Sequence, residues 1–142
     1  MTHPIFDLTG RVALVSGAAQ GIGRAMSLGF AEVGADLMLA DLNEEGAQRT
    51  AAEIEALGRR AVAVRCDVSE PDQVRAIFAR LDRDFGRIDV LANVAGGAAI
   101  EVRPPEDTPV EDVAAFLRSL VVGRFCCCQE AGRRMLAAGK GS

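Results

Sequence analysis

The 142-residue sequence lacks several side chains on which enzymes depend for proton transfer. It contains no tyrosine and no tryptophan, one histidine at position 3 and one lysine at position 140. A mechanism that needs a tyrosine acid, a histidine base in the interior or a mid-chain lysine therefore cannot be completed by these residues alone. Any relay of that kind would have to be supplied from outside them.

Long hydrophobic runs and an excess of positive charge are also missing. No apolar stretch approaches the roughly 20 residues that span a bilayer, and the first seven residues have neither the basic nor the apolar region of a secretory signal. Sixteen Lys and Arg residues against twenty Asp and Glu give a net charge of −4. We therefore expect a cytoplasmic protein that binds neither membranes nor nucleic acid, because nucleic-acid phosphates call for clustered cations.

The four cysteines are placed where disulfide or zinc chemistry is hard to build. Cys66 is isolated, and the other three are adjacent at positions 126–128. Neighbouring cysteines do not pair in ordinary disulfide geometry, and successive helical positions point to different sides of the helix, which disfavours a shared metal. We expect no metal site and reduced thiols that fill space as small hydrophobic groups.

Short apolar runs alternate with longer amphipathic ones along the chain. The pattern predicts strands over 11–16, 36–41, 61–64 and 88–92, helices over 22–33, 43–57, 69–85 and 109–138, and a loop over 98–107. Because each strand is apolar along its whole length, we expect a parallel sheet covered on both faces. Right-handed crossovers then give the strand order 3-2-1-4. The fold class is thus α/β, a Rossmann-like doubly wound sheet in one domain over 1–142, truncated after the fourth helix.

Helical spacing and capping residues add local predictions. Ile22, Met26, Phe30 and Val33 recur at helical spacing and mark the first helix. Asn43 is expected to cap the second helix. At the start of the fourth helix, we expect a Thr108 cap followed by Pro109 at the first helical position.

A glycine cluster follows the first strand and opens the first helix. Gly17 permits a tight turn, Gly21 leaves no side chain between the backbone and a ligand, and Gly23 lets the helix approach the strand. The helix N-terminus there presents unpaired N–H groups and a partial positive charge to an anion. Taken alone, the same glycines are also explained by a sterically demanding turn.

Acidic and amide side chains stand at the ends of the other three strands. Asp41 follows Gly23 by 18 residues, near the roughly 20-residue offset of a carboxylate that binds a ribose 2′-hydroxyl. Such a carboxylate repels a 2′-phosphate, so we expect NAD in preference to NADP. Asp67 and Asn93 end the third and fourth strands, although each could equally be a helix cap or a turn residue.

Together these motifs resemble those of the short-chain dehydrogenase/reductase family. The glycine spacing 17–21–23, the Cys-Asp-Val-Ser segment 66–69 and the Asn-Val-Ala-Gly segment 93–96 match the family pattern, the last with one substitution. The resemblance extends over essentially the whole chain. It implies a dinucleotide cofactor site. In that site the pyrophosphate is lined by Gly17, Gln20, Gly21, Ile22 and Gly23, and the adenosine ribose is held by Asp41. The adenine is flanked by Asp67 and Val68, and the residues beneath the cofactor are Asn93, Ala95 and Gly96.

The chain departs from the family in two places. The family's acid is a tyrosine four residues before a lysine, with a serine upstream and beyond a fifth strand, and no such segment occurs here, so we assign no catalytic residue. Without a fifth strand, the edge of the fourth would be unpaired. The asparagine of the family's fourth helix is replaced by Leu120, a position that also fits a plain buried helix residue. Ser119 is expected to point about 100° away from it.

The resemblance implies an NAD-dependent oxidoreductase that moves a hydride between nicotinamide and an alcohol or carbonyl substrate. We expect this chain to be the cofactor-binding half of such an enzyme and inactive alone. The alternative is a non-catalytic module that binds NAD or a related subunit. The helix over 109–138 is apolar around most of its circumference and forms an oligomer interface in the family, so we expect a homo-oligomer through it.

Overall fold

The computed structural model describes residues 4–97 and 103–142, so the predicted loop over 98–107 lies partly outside the described residues. Its single sheet has four strands: β1 (Val12–Ser16), β2 (Asp36–Asp41), β3 (Ala61–Arg65) and β4 (Val90–Asn93). They pair in parallel in the order β3-β2-β1-β4. The predicted fold class and strand order are confirmed, and β4 begins two residues later than predicted.

Five α-helices accompany the sheet in the described part of the chain. They are α1 (Gly21–Glu32), α2 (Glu44–Ala56), α3 (Pro71–Asp84), α4 (Val110–Leu117) and α5 (Arg124–Ala138). The last two are joined without a break by a π-helical segment, Arg118–Gly123. The single helix predicted over 109–138 is therefore continuous, but its hydrogen-bond pattern changes in the middle.

Helices cover both faces of the sheet, because the strands are apolar on both sides. On one face, α3 and α5 pack on the sheet around Leu14, Met38 and Phe78. On the other face, Ala31 of α1 and Ile54 of α2 belong to the core that encloses Val15 and Leu39. This two-sided burial explains why the strands read as continuous hydrophobic runs.

The face of α1 that meets the sheet is made of small residues. The helix buries Gly23, Ser27 and Ala31, whereas Ile22 is 72% exposed and Met26 is 36% exposed. Helical spacing predicted the helix correctly, but of the large apolar side chains that marked it, Phe30 packs against the core while Ile22 and Met26 do not form part of its buried face. Small residues at i, i+4 and i+8 let the helix lie close against β1.

Capping is confirmed for α2 and corrected for α4. Asn43 accepts a hydrogen bond from the Gly46 backbone N–H at 3.0 Å. Thr108 does not cap α4, because its hydroxyl donates to the Pro104 carbonyl at 3.0 Å, across the 3-10 turn Pro105–Asp107. Pro109 occupies the cap position instead.

Candidate functional site

A crevice of about 580 Å3 opens at the carboxyl ends of the four strands. Parallel α/β sheets bind ligands at this end, where the strand order reverses between β1 and β4. All but one of the predicted site residues line the crevice, namely Gly17, Gln20, Gly21, Ile22, Gly23, Asp41, Asp67, Val68, Ala95 and Gly96. Asn93 is not among its lining residues. The cofactor roles of these residues remain predictions.

The turn after β1 requires glycine at two positions. Gly17 has φ +77°, and its N–H donates to the Ala40 carbonyl at 2.7 Å. A Cβ on Gly17 would lie 2.8 Å from the Ala95 nitrogen, and a Cβ on Gly23 would lie 1.9 Å from the Gly17 oxygen. The chain therefore folds back on itself so tightly that only glycine fits at these positions.

The start of α1 presents bare backbone to the crevice. Gly21 has φ +54°, and a Cβ there would meet no atom within 4 Å, because it would project into open space. Gln20 at the N-cap position makes no capping hydrogen bond with its side chain. The first N–H groups of α1 therefore keep their hydrogen-bonding capacity for a ligand anion, and this cradle fits a pyrophosphate.

Asp41 is held rigidly at the end of β2. Its Oδ2 accepts the Ala19 N–H, and its Oδ1 accepts the Asn43 N–H, both at 2.9 Å. The carboxylate thus ties the glycine turn of β1 to the start of α2. The acid and the phosphate cradle are fixed relative to each other by hydrogen bonds, which suits two anchors of one ligand.

Asp67 serves the turn that follows β3 and also lines the crevice. Its Oδ1 accepts hydrogen bonds from the Ser69 N–H at 2.9 Å and from the Ser69 hydroxyl at 2.7 Å. The Asp67 N–H in turn donates to Gln73 Oε1 at 2.9 Å. Asp67 is therefore a turn residue that also forms part of the crevice wall beside Val68, and its cofactor role stays a prediction.

Behind the crevice, the residues that follow β4 are hydrogen-bonded to the end of β1. The Ala95 N–H donates to the Ser16 carbonyl at 2.9 Å and contacts the Ser16 hydroxyl at 3.2 Å. Asn93 points away from the crevice lining, and its amide donates to the sulfur of Cys128 at 3.2 Å. The Asn93 Oδ1 is buried and has no partner among the described residues.

The fourth helical stretch contributes a wall that sequence reasoning missed. Ala115, Arg118 and Ser119 line the crevice, and the Ser119 hydroxyl donates to the Phe116 carbonyl at 3.1 Å. Leu120 does not reach the lining. The remaining lining residues that had not been predicted lie beside predicted ones and could have been found from that adjacency: Leu42, Cys66, Ser69, Val94 and Gly97.

Thiol and metal chemistry have little support at this site. All four cysteines are free, and only Cys128 is exposed. Burial raises the pKa of Cys66 to about 11 and that of Cys127 to about 12, so both are neutral thiols near pH 7. Within residues 4–97 and 103–142, no group of His, Cys, Asp and Glu could hold a metal ion. No helix in this part of the chain is long and apolar enough to cross a membrane.

Comparison with known proteins agrees with this geometry. Residues 11–142 match the family model described as short chain dehydrogenase. The chain is 40% identical over 137 residues to D-threitol dehydrogenase of Mycolicibacterium smegmatis, an alignment that covers 96% of this chain and 52% of that protein.

Solved structures resemble the chain over the same region. A putative short-chain alcohol dehydrogenase from Sinorhizobium meliloti superposes with a TM-score of 0.91 at 38% identity, over 97% of this chain and 54% of that one. A short chain dehydrogenase from Burkholderia cenocepacia in complex with NADP gives 0.84 at 37% identity, over 89% and 51%. The chain therefore spans about half the length of the relatives it matches, and it belongs to the short-chain dehydrogenase family.

Proposed function

We propose that the crevice binds a nicotinamide dinucleotide and that the chain is the cofactor-binding part of an oxidoreductase. One observation carries the proposal: the Asp41 carboxylate accepts a hydrogen bond from the Ala19 N–H, two residues before the bare backbone at Gly21. A diphosphate on the N-terminus of α1 and a ribose on Asp41 would engage both ends of this pair. Ile22 and Val68 would supply apolar contacts.

The preferred cofactor in this proposal is NAD. The Asp41 carboxylate, whose two oxygens accept the Ala19 and Asn43 N–H groups, stands where the ribose would bind, and a carboxylate there repels a 2′-phosphate. Gln20, Leu42 and Asn43, which adjoin this position in sequence or space, carry no positive charge. One structural relative is an NADP complex, so the preference must be measured.

The reaction in this proposal is hydride transfer between the cofactor and the carbon of an alcohol or carbonyl compound. The bound nicotinamide would supply or accept the hydride. The residues present hold and orient the cofactor, and the 142 residues contain no tyrosine to serve as acid. Because that lack also suits a protein without catalysis, a non-catalytic NAD-binding or subunit-interaction module is the second candidate.

Two further properties belong to the proposal. We expect a homo-oligomer through the helical stretch 109–138, where Val110, Val121 and Phe125 are each more than half exposed. Such a face is costly to leave in water. We place the protein in the cytoplasm, since its four cysteines are all free, as is usual in a reducing compartment.

The experiment that tests the site is a calorimetric titration of NAD and NADP against the wild type and Asp41→Ala. We expect the substitution to weaken NAD binding by about 10-fold, the effect of losing a hydrogen bond to a charged group. It should weaken NADP binding less, so that the preference for NAD narrows. Asp72→Ala, at a side chain that is 97% exposed, is the control and should leave both affinities unchanged. Equal affinities in wild type and Asp41→Ala would refute the ribose assignment.

The same titration separates the two candidate functions when it is paired with an assay for reduction of NAD by alcohols. If the chain is the cofactor-binding part of an enzyme, we expect alcohols to reduce NAD once a segment that carries the tyrosine is supplied together with this chain. Binding of NAD without turnover under those conditions would support the module instead.

A further inference from the structure

Among the described residues that line the crevice, Arg118 alone carries a positive charge. Its side chain is exposed, and it makes no hydrogen bond or ion pair with the described residues. The molecule otherwise pairs its arginines extensively, with ion pairs at Arg11, Arg24, Arg49, Arg59, Arg75, Arg80, Arg83, Arg87, Arg133 and Arg134. The Arg118 guanidinium, which lines the crevice without a partner among the described residues, is therefore free to contact a bound ligand.

The helix face that carries Arg118 lies on the Val68 side of the crevice. Ala115, Arg118 and Ser119 follow one another at i, i+3 and i+4, so they share a face, and all three line the crevice. Gly123, at the end of the π-helical segment, rests on the turn after β3, because a Cβ there would lie 2.5 Å from the Val68 oxygen.

The neighbouring face of the same helical stretch serves a different part of the crevice. A Cβ on Gly96 would lie 2.4 Å from Leu120 Cδ2, and one on Gly97 would lie 3.9 Å from the Phe116 ring. Arg124 Nε donates to the Ala95 carbonyl at 3.4 Å. These contacts fix the 116–120–124 face on the loop after β4, which leaves Arg118 beside the turn after β3.

The two carboxylates among the described lining residues, Asp41 and Asp67, form no ion pair with Arg118 and are hydrogen-bonded by other groups. Both oxygens of Asp41 accept backbone N–H groups, and Asp67 Oδ1 accepts two hydrogen bonds from Ser69. The remaining surface on this side is apolar, since Val68 lines it and Leu42, which is 55% exposed, borders it. A flat aromatic group would find apolar contacts there and a guanidinium above it.

We propose that Arg118 closes the adenine end of the crevice by laying its guanidinium plane over the adenine ring. The inference rests on the proposed function, which puts the adenosine ribose at Asp41 and the adenine beside Val68. A guanidinium is planar, weakly hydrated and attracted to aromatic faces, so it stacks on a purine better than an ammonium does. Arg118 then contributes to the affinity for any adenine dinucleotide, whether or not the ribose carries a 2′-phosphate.

The test is calorimetric titration of the full-length protein with ADP-ribose and with its 2′-phosphorylated form. Arg118→Met keeps the length of the side chain but removes the plane and the charge, and we expect both dissociation constants to rise by the same factor, about 3- to 10-fold. Arg118→Lys keeps the charge without the plane and should also weaken both ligands. Arg133→Met, at an exposed arginine of α5 that pairs with Glu130, is the matched control and should change neither.

The outcomes separate the inference from the function on which it rests. If Arg118→Met lost affinity only for the 2′-phosphorylated ligand, or if Arg118→Lys bound both ligands as tightly as the wild type, Arg118 would act through its charge on a phosphate. Either result would overturn the stacking role. Unchanged binding in Arg118→Met beside a wild type that binds would overturn the inference alone. A wild type that binds neither ligand would overturn the proposed function as well. Thermal melting of each variant checks that a loss of affinity is not a loss of fold.

Discussion

Asp89 links β1 to the segment before β4 at the end of the sheet that lies opposite the crevice. It is 7% exposed, and its carboxylate accepts hydrogen bonds from the Val12 N–H and from the side chains of Arg11 and Arg87. Burial raises the pKa of Asp89, but these hydrogen bonds outweigh burial and lower the pKa to about 2. Arg87 and Asp89 thus form a junction with the start of β1 just before β4 begins at Val90.

The depressed pKa predicts a pH dependence of the free energy of unfolding. A carboxyl whose folded pKa lies below its unfolded value stabilises the fold above the unfolded pKa and loses that contribution as the pH falls through the folded pKa. For Asp89 the window runs from about pH 4 to about pH 2. We expect Asp89→Asn to cost about 2 kcal/mol at pH 7 and to flatten the acid limb in that window.

Urea unfolding at pH 7 and across the acid range measures both effects. Asp72→Asn, at an exposed side chain on α3, should retain the stability and the acid limb of the wild type. If Asp89→Asn had the same free energy of unfolding as the wild type at pH 7, the hydrogen bonds of Asp89 would not stabilise the fold.

Among the secondary-structure elements, α1 shows why glycine is needed at one position and merely tolerated at another. A Cβ on Gly23 would collide with the Gly17 carbonyl at 1.9 Å, whereas a Cβ on Gly29 in the same helix would meet nothing within 4 Å. Gly23→Ala should force α1 away from the turn, cost about 1–3 kcal/mol and weaken NAD binding. Gly29→Ala should stabilise the protein by up to about 1 kcal/mol.

Chemical denaturation and NAD titration of the two variants provide a matched pair. If Gly23→Ala were as stable as Gly29→Ala and bound NAD as the wild type does, the close approach of α1 to β1 would contribute neither to stability nor to NAD binding. The two substitutions add the same methyl group to the same helix, so helix propensity cancels in the comparison.

The elements also show where sequence patterns reach their limit. The four strands followed from apolar runs, because both faces of this sheet are buried, although β4 begins two residues later than predicted. Periodicity located α1, but it did not separate Phe30, which packs against the core, from Ile22 and Met26, which are exposed. The π-helical segment Arg118–Gly123 was not predicted, and its last residue, Gly123, packs against Val68, a contact between distant parts of the chain that no local pattern contains. That segment brings Ser119 and Arg118 to the crevice.

The molecule as a whole leaves two surfaces that its own described residues do not fully cover. At the outer edge of β4, the Leu91 N–H donates to the Ser142 carbonyl and the Ser142 N–H donates to the Asp89 carbonyl, at 2.8 and 2.9 Å. This is the hydrogen-bond pattern of a parallel pairing. The predicted unpaired edge is therefore occupied at one position. The other surface is the outer side of α4 and α5, where Phe125 is 66% exposed.

The apolar side of α4 and α5 predicts an association that a single charge would disrupt. We expect Phe125→Glu to raise the dissociation constant of the homo-oligomer at least 10-fold, because a carboxylate would be buried without a partner in the interface. Leu57→Glu, at a 48% exposed residue that ends α2, is the control and should assemble as the wild type does. Size-exclusion chromatography with light scattering measures both. Unchanged assembly of Phe125→Glu would place the interface elsewhere.

For the whole molecule, the alternating apolar runs and right-handed crossovers predicted the topology, and the glycine spacing and strand-end acids predicted the position of the crevice. They did so because the carboxyl ends of parallel strands meet at one edge of the sheet. Asn93 shows the limit of that reasoning, since it also ends a strand but points towards Cys128 and away from the lining. Side-chain direction at a strand end depends on packing that the sequence pattern does not contain.

The central claim is that a nicotinamide dinucleotide occupies the crevice at the carboxyl end of the sheet. The most direct measurement is an NMR titration of the isotopically labelled protein with NAD, following the backbone amide shifts. The account predicts that the largest changes fall on Ala19, Gly21, Asp41 and Val68, with little change around Asp89 at the opposite end. Shifts concentrated around Asp89, or none at saturating NAD, would contradict it.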